Sequence, residues 1–460
     1  MRCFVSLASP KILPFGITPI NLAFRSLIRI FERLFENTPV RKSSNKFDFS
    51  LTYSYLCSRR RKKMAEEFVK KTRVGSIDMM RSLTMLLMLF VNDIPGTKDV
   101  PHWLFHAAYN EDMLGFSDTI FPAFLFCVGL SVPLSTDGRL MRGDSKFSVL
   151  CHILWRSFAL VVMGLFTLHG DEGSEGIPHL WYALMMVGAF FLVWTDYEGL
   201  HIDVPHRLAT ILKTMGGLLM VGIVVWCDVM GKPFHTGWWG ILGLIGWSYL
   251  VCALVYLFLY GREKALLAAW VVGIVFCMLS QSSLLPREWF SRCILLPFLP
   301  GGWTGHALCL SGMAATLMMR RLGEKGEKLR LTVLFLGIGV MMLCLGFWAH
   351  DYWIISKIQA TPTWLFFCLA IYFPLMVFLW WMADVWGKEG WFDLIRPAGT
   401  ATLTCYLLPY LWYPLRALVE VHFPWEWYNG ASGLLLSLLY ALAVIQVARL
   451  MEKVGWRIKV

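Results

Sequence analysis

The chain has 460 residues, and its composition is that of a membrane protein. Hydrophobic residues make up 57% of it and charged residues only 16%, where an ordinary soluble domain has roughly a quarter charged. The formal net charge of +11 would suggest nucleic acid in a soluble protein, but much of the Lys and Arg lies in alternate loops, as membrane topology requires. Composition therefore argues against a nucleic-acid partner. The 12 cysteines, most of them in apolar segments, argue against disulfides and structural zinc.

The first 72 residues differ from the rest of the chain. They carry a basic run from Arg59 to Lys63 and no membrane-length segment with a signal-peptide cleavage site. One interpretation is a mitochondrial-type presequence. We favour an upstream extension ahead of a natural start at Met64, because Met64 opens an ordinary cytoplasmic lead-in. The expected domains are thus a basic extension over 1–72 and a single transmembrane domain over 73–460.

Twelve apolar segments follow, each about long enough to cross the ~30 Å of bilayer hydrocarbon as a helix. The predicted spans are 77–94, 119–135, 148–168, 178–195, 208–229, 238–260, 265–284, 302–319, 331–349, 363–386, 398–420 and 431–450. The predicted fold is an all-α transmembrane helix bundle of about 11 to 12 spans.

The distribution of charge predicts the orientation of this bundle. With both termini inside, 18 Lys and Arg residues fall in the inner loops and tail. The outer loops hold five: Lys98, Lys232, Arg287, Arg292 and Lys357. The positive-inside rule therefore predicts that both termini are cytoplasmic. The histidines have the opposite distribution, since eight of the 11 lie at the predicted outer face. For any single histidine, a position at the membrane interface is an equally good explanation.

The densest set of polar residues lies in the first two spans and the loop between them. Asn92 and Asp93 end the first span, His106 lies in the loop, and Asp118 begins the second span. Imidazole can accept a proton or carry an acyl group, a carboxylate can hold its tautomer, and an amide can stabilise an oxyanion. These residue types suit acyl transfer.

Structural interpretations of the same residues stay open. Asp118 could cap the second helix, Asn92 and Asp93 could form a polar helix end, and His106 could be an interfacial ring. A different class of function also fits, since about a dozen spans with intramembrane carboxylates such as Asp384 describe many secondary transporters. A non-catalytic glycan-handling membrane protein is a further alternative.

Two stretches of the sequence resemble a known family. The first comprises Ser76, Asp78, Arg81 and Asn92, followed by His106, Asn110, Asp118, Phe121, Pro122 and Gly129. The second comprises Ser356 to Trp364, Met382-Ala-Asp384 and Arg396-Pro-Ala-Gly399. Together they resemble the heparan-alpha-glucosaminide N-acetyltransferase family, and they are most similar to its bacterial members, which belong to a wider class of transmembrane acyltransferases.

The resemblance implies an enzyme that takes acetyl from cytoplasmic acetyl-CoA and delivers it to an amino sugar or glycan on the opposite side. The family's active-site histidine maps onto His106 and its asparagine onto Asn92. We expect Asp118 to position His106 or the acceptor amine, with Asp93 and Asn110 as support on the acceptor side. The loop that holds His106 is longer than in the family pattern. The identity of the acceptor is therefore the part of the family's function that carries over least directly to this chain.

Acetyl-CoA is the expected co-substrate, and no metal is implied. Its phosphates would meet inner cations, for which Arg81, Arg156 and the loop from Arg139 to Lys146 are candidates, although topology alone would also place them there. The expected partners are a small-molecule or glycan acceptor and membrane lipid, and a homo-oligomer stays open. The bacterial resemblance predicts the plasma membrane, with the His106 loop on its outer side.

Overall fold

The computed structural model describes residues 74–172, 179–202, 204–282, 303–323, 325–420 and 424–460. The predicted extension over 1–72 lies outside the described residues. These described residues belong to one compact unit.

The described residues form helices and no β-strand, which confirms the predicted all-α class. In chain order the helices are α1 Gly75–Asp93, α2 Ile120–Met141, α3 Lys146–Glu172, α4 His179–Trp194, α5 His206–Val229, α6 Gly240–Phe258, α7 Glu263–Gln281, α8 Thr304–Gly323, α9 Lys328–His350, α10 Pro362–Trp380, α11 Arg396–Thr400, α12 Thr402–Leu418 and α13 Gly430–Lys453. A π-helical turn, Trp381–Val385, extends α10, and short 3-10 turns lie in the loops. Each predicted span overlaps a helix.

Eight helices of the described ranges are long and apolar enough to cross a membrane, and α4 is a shorter apolar helix. This identifies an integral membrane protein. The count of 11 to 12 spans and the cytoplasmic position of both termini stay predictions.

The span predicted over 398–420 is interrupted near its start. The backbone leaves the helical region at Ala401, with φ −114° and ψ 40°, and this separates α11 from α12. Side-chain hydrogen bonds to the backbone accompany this break. The Gly399 carbonyl accepts from Arg81 Nη2 at 2.7 Å and from Thr402 Oγ1 at 3.1 Å. With these two donors, the Gly399 carbonyl has hydrogen-bond partners although α11 does not continue past Thr400.

Helices α1 and α10 run antiparallel, because the start of α1 contacts the end of α10. The carboxylate of Asp384, in the π-helical turn, accepts the backbone N–H groups of Gly75 at 2.7 Å and Ser76 at 3.1 Å. These are N–H groups of the first turn of α1, which have no partner within the helix, and no side chain at the N-cap position Val74 caps them. A carboxylate there also interacts favourably with the helix dipole. Asp384 therefore fixes α1 to α10.

This contact predicts a loss of stability when the carboxylate is removed. Asp384→Ala leaves two N–H groups of α1 without their acceptor, and we expect the free energy of unfolding to fall by about 1–2 kcal/mol. Thermal unfolding of the purified protein in detergent measures the change. Asp351→Ala, at an exposed carboxylate just after α9, is the matched control and should leave the midpoint within a degree or so. Equal shifts for the two variants would contradict the assigned role of Asp384.

Helices α2 and α8 approach so closely that their backbones touch. A Cβ added to Gly129 of α2 would lie 1.8 Å from the Cys309 carbonyl oxygen of α8. A Cβ added to Gly312 of α8 would lie 2.0 Å from the Phe126 carbonyl oxygen of α2. Small residues allow such close packing between membrane helices, where van der Waals contact drives association. The pair holds α2, which follows the Asp118 turn, firmly against α8.

Candidate active site

His106 and Asp118 form a bonded pair in the loop between α1 and α2. The Nδ1 atom of His106 lies 2.7 Å from Oδ1 of Asp118. The second carboxylate oxygen accepts the backbone N–H of Ala107 at 2.9 Å. Asp118 lies in a 3-10 turn, Phe116–Thr119, and is 1% exposed. Its carboxylate binds the His106 segment and does not cap α2, whose N-cap is Thr119.

The local fold brings these two residues together through several short contacts. A Cβ on Gly115 would lie 2.1 Å from the Phe105 carbonyl oxygen, so only glycine allows the two loop segments to approach this closely. The Ser117 hydroxyl donates to the Leu104 carbonyl at 2.6 Å. On the α10 side, the Trp364 indole N–H donates to the Asp118 carbonyl at 3.1 Å. The loop is therefore held in one conformation around the pair.

Lys357 is the third member of this cluster. It comes from the loop between α9 and α10, and its Nζ lies 3.3 Å from Nδ1 of His106 and 3.9 Å from Oδ1 of Asp118. Its side chain is only 16% exposed. The sequence predicts Lys357 only as an outer-loop cation, and its position beside His106 is a finding of the structure. The signal that could have found it is the second family-like stretch, Ser356 to Trp364, which contains it.

The hydrogen bond to Asp118 determines the tautomer of His106. A carboxylate only accepts hydrogen bonds, so Nδ1 carries the proton and donates it to Asp118. The neutral ring then has its lone pair on Nε2. This is the nitrogen that can take a proton from an acceptor or bind an acetyl group.

Burial and the neighbouring cation keep His106 uncharged. Burial lowers the pKa of His106 below its ordinary value of 6.5, and the positive charge of Lys357 lowers it further. The hydrogen bond and charge of Asp118 act in the opposite direction but do not outweigh them. Burial also lowers the pKa of Lys357 to about 8, against the effect of Asp118. The ring is thus a neutral base at neutral pH, beside a lysine that is still mostly charged.

The two loops that carry the cluster are bonded to each other. Asp112 accepts the backbone N–H of Ile355 at 2.8 Å and lies 2.7 Å from Nε2 of His350. The Gln359 side-chain amide donates to the Tyr109 carbonyl at 2.8 Å. These contacts fix the position of Lys357 relative to His106, because Lys357 lies between Ile355 and Gln359.

The other predicted site residues stand apart from this cluster. Asn92 is half-buried at the end of α1, and its side chain makes no hydrogen bond to His106 or Asp118 within the described ranges. Asp93 accepts the Tyr413 hydroxyl of α12 at 2.8 Å. Asn110 is exposed. The structure therefore joins His106 to Asp118 and directs Asp93 towards α12.

The predicted phosphate-binding cations have protein partners. Arg81 donates to the Gly399 carbonyl and also lies 3.8 Å from Asp78, three residues before it on α1. Arg156 lies over the Tyr249 ring at 4.8 Å, and Arg139 lies 3.4 Å from Asp144. Among the residues that the structure describes, no group of three or more His, Cys, Asp or Glu side chains is arranged to hold a metal ion.

Comparison with known proteins agrees with the resemblance seen in the motifs. Residues 73–283 match a family described as a domain of unknown function, DUF5009. Over 94 residues, or 20% of this chain, the sequence is 42% identical to the human heparan-alpha-glucosaminide N-acetyltransferase and 39% identical to its mouse counterpart. The chain spans about 13% of the length of each of these curated relatives. The resemblance to the heparan-alpha-glucosaminide N-acetyltransferase family is thereby confirmed for a part of the chain.

Proposed function

We propose that this protein is a membrane-embedded acyltransferase that moves an acetyl group from cytoplasmic acetyl-CoA to an amino sugar or glycan on the opposite face. The observation that carries the proposal is the buried cluster of His106, Asp118 and Lys357, which supplies an oriented, neutral imidazole. The named activity of the human and mouse relatives supports the same reaction.

In this mechanism the amine of the acceptor attacks the thioester carbonyl of acetyl-CoA. Nε2 of His106 takes the proton that the amine loses, or binds the acetyl group itself before the amine attacks. The C–S bond breaks, and the sulfur leaves as the thiol of CoA. Asp118 holds the Nδ1 proton and stabilises the imidazolium that forms. Asn92 is assigned to the thioester oxygen, whose negative charge grows during the attack.

The proposed topology has twelve spans with both termini in the cytoplasm. Contacts between chain-distant residues support the antiparallel order that alternating spans require. The His106 loop meets the Lys357 loop before the start of α10, while Asp384, after the end of α10, meets Gly75 of α1. The excess of inner-loop Lys and Arg supports an outward position for His106. The plasma membrane is the proposed location.

At the cytoplasmic end we assign the CoA phosphates to Arg156 and the loop from Arg139 to Lys146. Guanidinium groups bind phosphate oxygens in a bidentate manner. Arg81 is assigned to the same phosphates, and its bond to Gly399 and its pairing with Asp78 hold its guanidinium in place.

The proposal is tested with the purified full chain in lipid nanodiscs. Labelled acetyl-CoA is added together with a panel of glucosamine-terminated acceptors, and acetylated product is measured by mass. We expect acetyl transfer that depends on the protein and releases CoA thiol. Absence of product with every acceptor, combined with thermal stabilisation by a sugar only when a proton or sodium gradient is present, would favour a transporter instead.

The lowered pKa of His106 predicts the acid side of the pH profile. The base must be neutral, so activity is present above the pKa of His106 and is lost as pH falls through it. Because that pKa lies below 6.5, more than half of His106 is neutral at pH 6.5, and kcat/KM there should exceed half of its plateau. Lys357→Met should move the acid limb to higher pH, because it removes a charge that opposes protonation. An unchanged acid limb in this variant would contradict the assigned effect of Lys357.

A further inference from the structure

In the acetyl transfer described above Lys357 acts only through its positive charge, and its nitrogen as a nucleophile is not used. It is a primary amine, its side chain is 16% exposed, and its Nζ lies 3.3 Å from Nδ1 of His106. Its other neighbours are Asp118, at 3.9 Å, and the Cys368 side chain of α10 within electrostatic range. The loop contacts of Asp112 and Gln359 hold it there. The amine is therefore fixed beside the base at which the acetyl group is to be transferred.

The amine is also a better nucleophile than an ordinary lysine. Only the neutral form of an amine attacks a thioester. With a pKa of about 8, roughly a tenth of Lys357 is neutral at pH 7, against less than about a thousandth for an unperturbed lysine. Burial is the main cause of this difference, and the charge of Asp118 limits it.

We propose that Lys357 is a self-acetylation site, at which the protein modifies its own lysine from acetyl-CoA when no acceptor is present. The inference rests on the proposed function, because that function brings the thioester to His106. The Nζ lone pair attacks the thioester carbonyl carbon, so that a C–N bond forms and the C–S bond breaks. The proton that the nitrogen loses goes to the sulfur, and CoA leaves as the thiol. The product is a neutral amide on Lys357.

The modification would switch the site off. An acetylated lysine has no charge, so His106 loses the cation that keeps its pKa low. The added acetyl group also occupies space beside the imidazole. The acetylated protein would therefore transfer acetyl slowly, and a shortage of acceptor would lower consumption of acetyl-CoA.

The first test uses the purified full chain in nanodiscs with ¹³C₂-acetyl-CoA and no acceptor. Peptide mass spectrometry measures the heavy acetyl group on each lysine over time. We expect Lys357 to be labelled at least about tenfold faster than Lys98, an exposed lysine of the α1–α2 loop that reports uncatalysed acetylation. A glucosamine-terminated acceptor should slow the labelling of Lys357 and leave that of Lys98 unchanged. Equal labelling of the two lysines would overturn the proposal.

The second test separates self-acetylation from transfer to an acceptor. Asp118→Asn removes the carboxylate that raises the pKa of Lys357, so a larger fraction of the amine is neutral. Labelling of Lys357 at pH 7 should rise by about three- to tenfold, the upper limit being set by the roughly tenth that is neutral in the parent. Transfer to an acceptor should fall in the same variant, because His106 loses the group that orients it. Glu111→Gln, at the loop carboxylate that pairs with His102, should change neither rate. A decrease of Lys357 labelling in Asp118→Asn would contradict the inference.

The outcomes distinguish this inference from the proposed function. Transfer to a glucosaminide without label on Lys357 would overturn the inference and leave the function standing. Label on Lys357 without transfer to any acceptor would support the inference and contradict the assignment of an amino sugar or glycan as the acceptor. Neither label nor transfer would overturn both.

Discussion

Replacing His106 by alanine is expected to lower kcat/KM for acetyl transfer by about a thousandfold, which corresponds to roughly 4 kcal/mol of transition-state stabilisation. The reason is that both proposed courses of the reaction pass through Nε2 of His106. Asp118 and Lys357 both contact Nδ1 of the same ring, and they have no function in transfer without it. The measurement is acceptor acetylation at saturating and at limiting acetyl-CoA, with thermal unfolding recorded to show that the variant is folded.

The matched control for this prediction is His102→Ala. His102 lies in the same loop and pairs with a carboxylate, Glu111, at 3.1 Å, but its side chain is 65% exposed and it does not contact Asp118. We expect its kcat/KM to stay within about threefold of the parent. A His106→Ala protein that releases CoA as fast as the parent would refute the proposed role of the imidazole.

The second large effect is expected at the crossing of α2 and α8. Gly129→Ala places a methyl group where the Cys309 carbonyl oxygen lies 1.8 Å away, and neither backbone can move without displacing its helix. We expect the free energy of unfolding to fall by about 3 kcal/mol or more, since overpacking against backbone is costly. Thermal unfolding in detergent and the folded yield after purification measure this.

Gly337→Ala is the control for the crossing. Gly337 lies on the exposed side of α9, and no other atom lies within 4 Å of its added Cβ. Alanine favours a helix by about 0.5–1 kcal/mol over glycine, so this variant should be as stable as the parent or slightly more stable. Similar losses at Gly129 and Gly337 would show that helix packing is not the cause.

The helical architecture was predictable because bilayer thickness sets the length of an apolar segment. Each predicted span overlaps a helix, for example 208–229 on α5 and 331–349 on α9. The resemblance to the acetyltransferase family also followed from short motifs around His106 and Asp118, and the comparisons confirm it. The predicted catalytic roles of these residues await the experiments above.

Other features required contacts between distant parts of the chain. Lys357 is 251 residues from His106, so no spacing rule links them. Asp118 could equally have been a helix cap, and only the carboxylate's bonds to His106 and Ala107 decide against it. Beside the break before α12, the Gly399 carbonyl accepts from a guanidinium of α1, which the local sequence of α12 does not contain. The pattern of apolar residues within a segment predicts a helix. The residues that meet at a functional site or beside a helix break depend on which helices become neighbours.

The bonds at both ends of α10 limit how the protein could open. Trp364, in the first turn of α10, is bonded to the Asp118 turn, and Asp384, after its last turn, is bonded to the start of α1. From Trp364 to Asp384 the helix rises about 30 Å, close to the thickness of the hydrocarbon layer. A movement of α10 relative to both α1 and the Asp118 turn would have to break the bonds at both of its ends. In the proposed reaction the donor and the acceptor would approach opposite ends of this fixed helix, and we expect any gate between them to be formed by other helices.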